Sequence, residues 1–244
     1  PDEKPDPPAP PTLEFGDTSL TVTWTNATYT DRSAIECVNL EISPAPADGR
    51  IQKTCLTGNS VVWEGLTNGT AYTVRAQAVN DAPDPSDWGE PSAPETPAGP
   101  PFRPAAPTAE RVDTFAGGQT TVSWTQPDTN GDAIKTYHLD VIENGSKART
   151  IQVPGTSTSQ TVEDLENEAT YTFAVRAENK AGVSETSPQS NAVVPYGTPT
   201  TPPRPSAAID ESNPPSTTSQ KATVTWGKSS DVRGPGPYYQ GTWG

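Results

Sequence analysis

The amino-acid sequence predicts an all-β chain: two β-sandwiches in tandem, joined by a proline-rich linker and followed by an incomplete third repeat. Three observations carry that expectation. The tetrapeptide TVTW ends at Trp24, TVSW ends at Trp124 and TVTW returns at Trp226, so one landmark recurs at steps of 100 and 102 residues. A second landmark keeps the same phase: Leu66 leads to Tyr72 in LTNGTAYTVRAQAVN, as Leu165 leads to Tyr171 in LENEATYTFAVRAEN. Within each repeat the apolar residues recur every second position, which is the period of a strand and not of a helix.

In the first repeat Val38, Leu40 and Ile42 alternate with polar residues in VNLEIS, and Tyr72, Val74, Ala76 and Ala78 do the same further along. In the second, Tyr137, Leu139 and Val141 form one alternating run, and Tyr171, Phe173, Val175 and Ala177 form another. Successive strand side chains point to opposite faces, so each run reads as a half-buried antiparallel strand. Turn signals separate the runs: PADG at Pro46, TNGD at Thr129, ENGSK at Glu143 and ENKAG at Glu178. Trp24 and Trp124 fall in the core phase, and Trp63, which aligns with Val162, is placed there too. No amphipathic helix can be drawn. Short strands at this density point to an immunoglobulin-like sandwich.

The tryptophans Trp24 and Trp124, the Leu-x5-Tyr spacing and the strand YTFAVRAEN resemble fibronectin type III domains. Immunoglobulin domains proper carry one cysteine on strand B and another on strand F; neither repeat has that pair. The resemblance implies that Tyr72 and Tyr171 form tyrosine corners, each hydroxyl bonding to backbone a few residues upstream. It covers residues 11–97 and 104–195. Residues 1–10, 98–103 and 196–205 read as proline-rich linkers, extended and semi-rigid because proline fixes φ and offers no N–H to a sheet. Residues 206–244 read as a truncated third repeat, with strand B at KATVTW and strand C near YYQGTW. It stops before the later landmarks, so it is expected to be poorly ordered or to borrow a partner. The chain begins at Pro1, holds no methionine, and reads as an internal stretch of something longer.

Charge narrows the partners. With 16 basic against 30 acidic residues, the net −14 repels phosphate backbones and anionic headgroups, which disfavours nucleic acid and membrane surfaces. No apolar run approaches the roughly 18 residues of a membrane helix. The lone histidine, His138, falls on the outward phase of its strand, so no Ser-His-Asp or Cys-His set can be assembled. Phosphate-binding glycine loops are missing as well. DTNGDAI from Asp128 begins like a calcium loop, but its glycine comes early and its twelfth position is Leu139, so a turn is the better reading. Neither enzyme, cofactor nor metal is expected.

Cys37 and Cys55 are the only cysteines. Cys37 sits on the outward phase beside Val38, and a turn centred on Pro46 sets it opposite Cys55. A disulfide is expected, with an oxidising, extracellular compartment; two unrelated free thiols are the alternative. The composition resembles bacterial, actinobacterial-type surface or secreted proteins, where such domains act as spacers beside carbohydrate-active domains, as stalks or as adhesive units.

One stretch breaks the parallel between the repeats. PSDWGEPS carries Trp88, whereas the matching AGVSETSPQSN has no aromatic, so Trp88 reads as an insertion in the loop between strands F and G. At Ser86 and Trp88 the stretch resembles the WSxWS box of cytokine receptors, themselves paired fibronectin type III domains. In that family the box stacks with strand-F arginines, which implies Arg75 over Trp88. Two roles stay open: Trp88 contacts a partner, helped by Asp87, Glu90, Arg75, Tyr29 and Asp31, or it brackets its own domain. The sequence therefore predicts a monomeric extracellular module for protein recognition or adhesion, toward a cytokine-like or matrix protein. The alternative is a passive spacer in a multidomain secreted protein. Carbohydrate binding ranks third, since it would need several coplanar aromatics.

Overall fold

The computed structural model describes residues 2–209 and 222–227, and every regular element among them is a strand. The first sandwich packs a sheet of β1 (Thr12–Gly16), β2 (Ser19–Thr23) and β5 (Ser60–Glu64) on one of β3 (Cys37–Ser43), β4 (Gln52–Leu56) and β6 (Thr73–Val79). In order across the sheets, these are β1-β2-β5 and β4-β3-β6. The second repeats the plan: β7 (Thr108–Arg111), β8 (Thr120–Ser123) and β11 (Ser159–Val162) face β9 (Thr136–Glu143), β10 (Ser146–Pro154), β12 (Tyr171–Asn179) and β13 (Gly182–Val183). The fold is all-β, and each half is a two-sheet sandwich.

The alternation seen in the sequence builds the cores. Leu20, Val22, Trp24, Val38, Leu40, Ile42, Trp63, Tyr72 and Val74 are buried together in the first sandwich. Val122, Trp124, Tyr137, Leu139, Val141, Tyr171, Phe173 and Val175 do the same in the second. Removing this apolar surface from water is the main driving force for each unit. Both tyrosine corners are formed: the Tyr72 hydroxyl accepts from the Thr67 N–H at 3.1 Å, and the Tyr171 hydroxyl from the Glu166 N–H at 2.9 Å.

Cys37 and Cys55 are bonded, with Cα atoms 4.8 Å apart. Their placement differs from the sequence expectation in two ways. Cys37 is buried, and the two residues do not face each other in a plain ladder. The β3–β4 register slips between Val38 and Leu40, a bulge that leaves Cys55 at φ 51 with its N–H bonded to the Asn39 side chain at 2.8 Å. An extra residue in one strand bends the edge and re-aims its side chains, and here it turns Cys55 onto Cys37.

Two of the stretches read as linkers pack against the sandwiches. Residues 2–10 lie along the first sandwich: the Asp2 carboxylate meets the Ser33 backbone and hydroxyl, and the Glu3 carbonyl accepts from Asn80 at 3.0 Å. Residues 98–103 are held as closely between the two sandwiches, with Ala98 buried. Proline does not explain this; the polar backbone groups between the prolines do, because each finds a partner in a neighbouring loop. In the third repeat β14 (Ser206–Ile209) pairs antiparallel with β15 (Ala222–Thr225), and residues 222–227 are exposed. The expected strand C near YYQGTW lies outside the described residues.

Candidate functional site

The outer face of the β4-β3-β6 sheet holds most of the residues singled out from the sequence. Arg75 on β6 points outward from the core phase, opposite Glu41 on β3. Its guanidinium donates to the Glu41 carboxylate from Nε at 2.9 Å and from a terminal nitrogen at 2.6 Å. Gln52 on β4 donates to the other Glu41 oxygen at 2.7 Å. The Gln52 hydrogen bond, opposed by burial and reinforced by Arg75, holds the Glu41 carboxyl below its ordinary pKa. On its other side the guanidinium carbon lies 5.0 Å from the centre of the Trp88 ring. Four side chains thus form a continuous row from Gln52 to Trp88 across the sheet.

Trp88 is not on an inserted loop. Ser86, Gly89 and Ser92 donate their N–H groups to the carbonyls of Ala78, Ala76 and Val74 at 2.8–2.9 Å, so the segment is an edge laid against β6. Ser184, Ser187 and Ser190 do the same to Ala177, Val175 and Phe173 in the second sandwich. The edge advances three residues for every two on its neighbour, and serine hydroxyls accept the strand N–H groups that a regular strand would pair. Trp88 therefore occupies the position of Thr186, and the sequence differs by a substitution on a shared edge rather than by an added loop. A three-residue period was missed because strand reading looks for two.

Gly89 stands where the second sandwich has Ser187. A Cβ there would collide with the carbonyl of Pro8, so the glycine is what lets the N-terminal segment close over this edge. Lys4 of that segment reaches Asp87 at 3.2 Å, an exposed pair.

Tyr29 and Asp31 are occupied elsewhere. The Tyr29 hydroxyl accepts from the Asp6 N–H at 2.9 Å, and the Arg32 guanidinium lies 4.6 Å from its ring centre. Asp31 pairs with the same guanidinium at 3.1 Å, and Arg32 also donates to the Lys4 carbonyl at 2.8 Å. They fasten the N-terminal segment and do not join the Trp88 row. Glu90 is exposed beside Trp88. Sequence reading missed Glu41, Gln52 and Arg32, although Glu41 on the outward phase of VNLEIS was a usable sign.

Among the described residues no group of three His, Cys, Asp or Glu side chains is arranged to hold a metal ion. His138 pairs with Glu178 at 2.6 Å on the outer face of the second sandwich. The DTNGDAI turn instead meets the first sandwich and its linker: the Gly99 N–H donates to the Asn130 carbonyl at 3.0 Å, and Asn68 Nδ2 to Asn130 Oδ1 at 2.9 Å.

Paired sandwiches with tyrosine corners and a serine-lined edge beside β6 and β12 define a tandem β-sandwich module. The chain belongs to the fibronectin type III family: the model of the fibronectin type III domain matches residues 6–95 and 105–193. It is similar to Chitinase A1 of Niallia circulans, 31% identical over 178 residues, which is 72% of this chain and 23% of that protein. The chain therefore spans about a quarter of that relative's length. Among solved structures it is similar to chicken CNTN1 FN1-FN3 domains, at 19% identity and a TM-score of 0.42, with 78% of this chain and 67% of that one covered.

Proposed function

We propose that this chain is a non-catalytic spacer in a longer extracellular protein, one that holds other domains at a set separation. The observation that carries this reading is the row on the outer sheet face. Trp88 lies under Arg75, Arg75 is tied to Glu41, and Tyr29 and Asp31 fasten the N-terminal segment. The side chains best suited to grip a partner are thus already engaged with their own domain. Similarity to part of a chitinase supports placement beside a polysaccharide-hydrolysing domain, and the Cys37–Cys55 disulfide supports an oxidising compartment.

Protein recognition is the second reading, favoured by the exposed carboxylates of Asp87 and Glu90 flanking a half-buried Trp88. A cytokine-like or matrix protein would be its partner. Immobilised wild-type chain and Trp88→Ala chain, screened against such ligands with their unfolding measured in parallel, separate the two. The spacer reading expects no saturable ligand and a destabilised variant. Saturable binding that Trp88→Ala abolishes, with stability unchanged, would overturn it.

A further inference from the structure

The junction between the sandwiches is built from the linker and the loops around it, apart from the outer sheet face that bears Trp88. Every residue from Ala98 to Arg103 makes a polar contact or is buried. The Ala98 N–H donates to the Gly16 carbonyl at 3.2 Å, in the first sandwich. The Gly99 N–H donates to the Asn130 carbonyl at 3.0 Å, and the Gly99 carbonyl accepts from Asn179 Nδ2 at 2.8 Å. The Pro100 carbonyl accepts from Asn130 Nδ2 at 3.0 Å, Pro101 is buried, and the Phe102 N–H donates to the Asp128 carbonyl at 3.0 Å. Arg103 Nε donates to the Thr186 carbonyl at 2.7 Å.

The clamp on this linker is a repeated device. Asn80 ends the β6 run and Asn179 ends β12, each eight residues past its tyrosine corner. Both are buried, and each donates its side-chain amide to the carbonyl of the segment entering its own sandwich: Glu3 for Asn80, Gly99 for Asn179. In the second sandwich the entering segment is the linker itself, so a contact that is local in the first becomes a contact that orients two domains.

Direct contacts between the sandwiches complete the junction. Asn68 Nδ2 lies 2.9 Å from Asn130 Oδ1 and 2.7 Å from the Asp17 carboxylate. Lys180, one residue past the clamp, reaches back across the junction. Its Nζ is 2.8 Å from the Thr96 carbonyl, 3.3 Å from the Glu95 carboxylate and 4.3 Å from the centre of the Phe15 ring. Gly131 packs so close that a Cβ on it would lie 2.7 Å from both the Gly69 nitrogen and the Pro97 oxygen.

We infer that the two sandwiches are latched into one stiff rod, and that Lys180, closing on Glu95, Thr96 and Phe15, is the latch. Interdomain contacts in a single chain are commonly small and permit motion. This one combines a linker pinned along its length, a buried amide clamp and an ammonium shared by a carboxylate, a carbonyl and a ring. The ends of the sandwiches are also not interchangeable. Asp81 stands in the first sandwich where Lys180 stands in the second, so the first sandwich's own entering end carries the wrong charge for a Glu95-type surface. The inference goes beyond the spacer reading, because a stiff pair could equally present a binding face.

Residual dipolar couplings of the whole chain in a dilute aligned medium test it. In the wild type, couplings from residues 12–97 and 104–193 are expected to fit a single alignment tensor, with the ratio of the two alignment magnitudes near unity. Lys180→Glu is expected to drive that ratio well below unity while each sandwich keeps its own chemical-shift pattern. Lys180→Arg, which keeps a cation for the Glu95 carboxylate, the Thr96 carbonyl and the Phe15 ring, is expected to keep a common tensor. Separate tensors in the wild type would overturn the rod. A common tensor that survives Lys180→Glu, or that Lys180→Arg loses, would overturn the assignment of Lys180 as its latch.

Discussion

The guanidinium of Arg75 lies between the Trp88 ring, 5.0 Å away, and the Glu41 carboxylate, 2.6 Å away, so one cation serves two strands and an irregular edge. A cation over an exposed or half-exposed ring contributes about 0.5–1 kcal/mol. A double-mutant cycle of Trp88→Ala and Arg75→Ala, read from chemical denaturation of the first sandwich, is expected to give a coupling energy in that range. Trp88→Ala is also expected to raise the exchange rate of the Val74 and Ala78 amides, since the edge whose serine hydroxyls accept them loses its anchor. Zero coupling with unchanged exchange would mean that the tryptophan does nothing for its own domain.

The disulfide closes a loop with a sequence separation of 18 residues. Cross-linking a loop of that size stabilises by about 3 kcal/mol through the unfolded chain. Reduction, or the double replacement Cys37→Ser with Cys55→Ser, is expected to lower the stability of the first sandwich by about that amount and to leave the second unchanged. Replacing Cys37 adds a further cost, since it places a hydroxyl at a buried position. Domain-resolved hydrogen exchange checks both statements. Equal losses in the two sandwiches would contradict them.

Most of the fold is legible in the amino-acid sequence. Period-two runs locate β3, β6, β9 and β12, and the spacing of Leu66 to Tyr72 and Leu165 to Tyr171 locates the corners, because both signals are local and repeat in phase. The cysteine pairing is legible too, though not the bulge that brings Cys55 round at φ 51. The junction is not. Asn130 meets Asn68 and Lys180 meets Glu95 through loops that share no period, and a turn signal such as TNGD states that the chain reverses, not what it touches. The edge bearing Trp88 is misread for a related reason: its spacing of three follows serine hydroxyls, which sequence patterns of burial do not register.

The two tyrosine corners differ in strength. Tyr72 accepts one backbone N–H, whereas Tyr171 accepts the Glu166 N–H and also donates to the Glu143 carboxylate at 2.9 Å. A neutral hydrogen bond contributes about 1 kcal/mol, and one to a charged group about 1.5–3 kcal/mol. Tyr171→Phe is therefore expected to destabilise the second sandwich more than Tyr72→Phe destabilises the first. Separate denaturation of the two domains within the whole chain provides the comparison. The reverse order would show that the Glu143 contact adds nothing.

Two carboxylates give stability opposite dependences on pH. Burial pushes the Asp140 carboxyl up, but hydrogen bonds from Lys147 and Thr150 and the charge of Arg176 outweigh it, leaving the pKa below the ordinary value. A lowered folded pKa gives stability that is present above the unfolded value, about 3.9 for aspartate, and lost as pH falls through the folded one. Glu36 is the reverse: the hydrogen bond and charge of Asp81, together with burial, raise its pKa. Its contribution is present at acid pH and is lost as pH rises through the raised value, when the Glu36 carboxyl gives up its proton. Glu36→Gln is accordingly expected to stabilise the first sandwich at neutral pH, with the gain vanishing near pH 4, in the carboxylate range. Asp140→Asn is expected to weaken the second sandwich at neutral pH and to flatten its acid limb. Denaturation midpoints across the acid-to-neutral range check both, and a Glu36→Gln effect that grows as the pH falls would refute the raised Glu36 pKa.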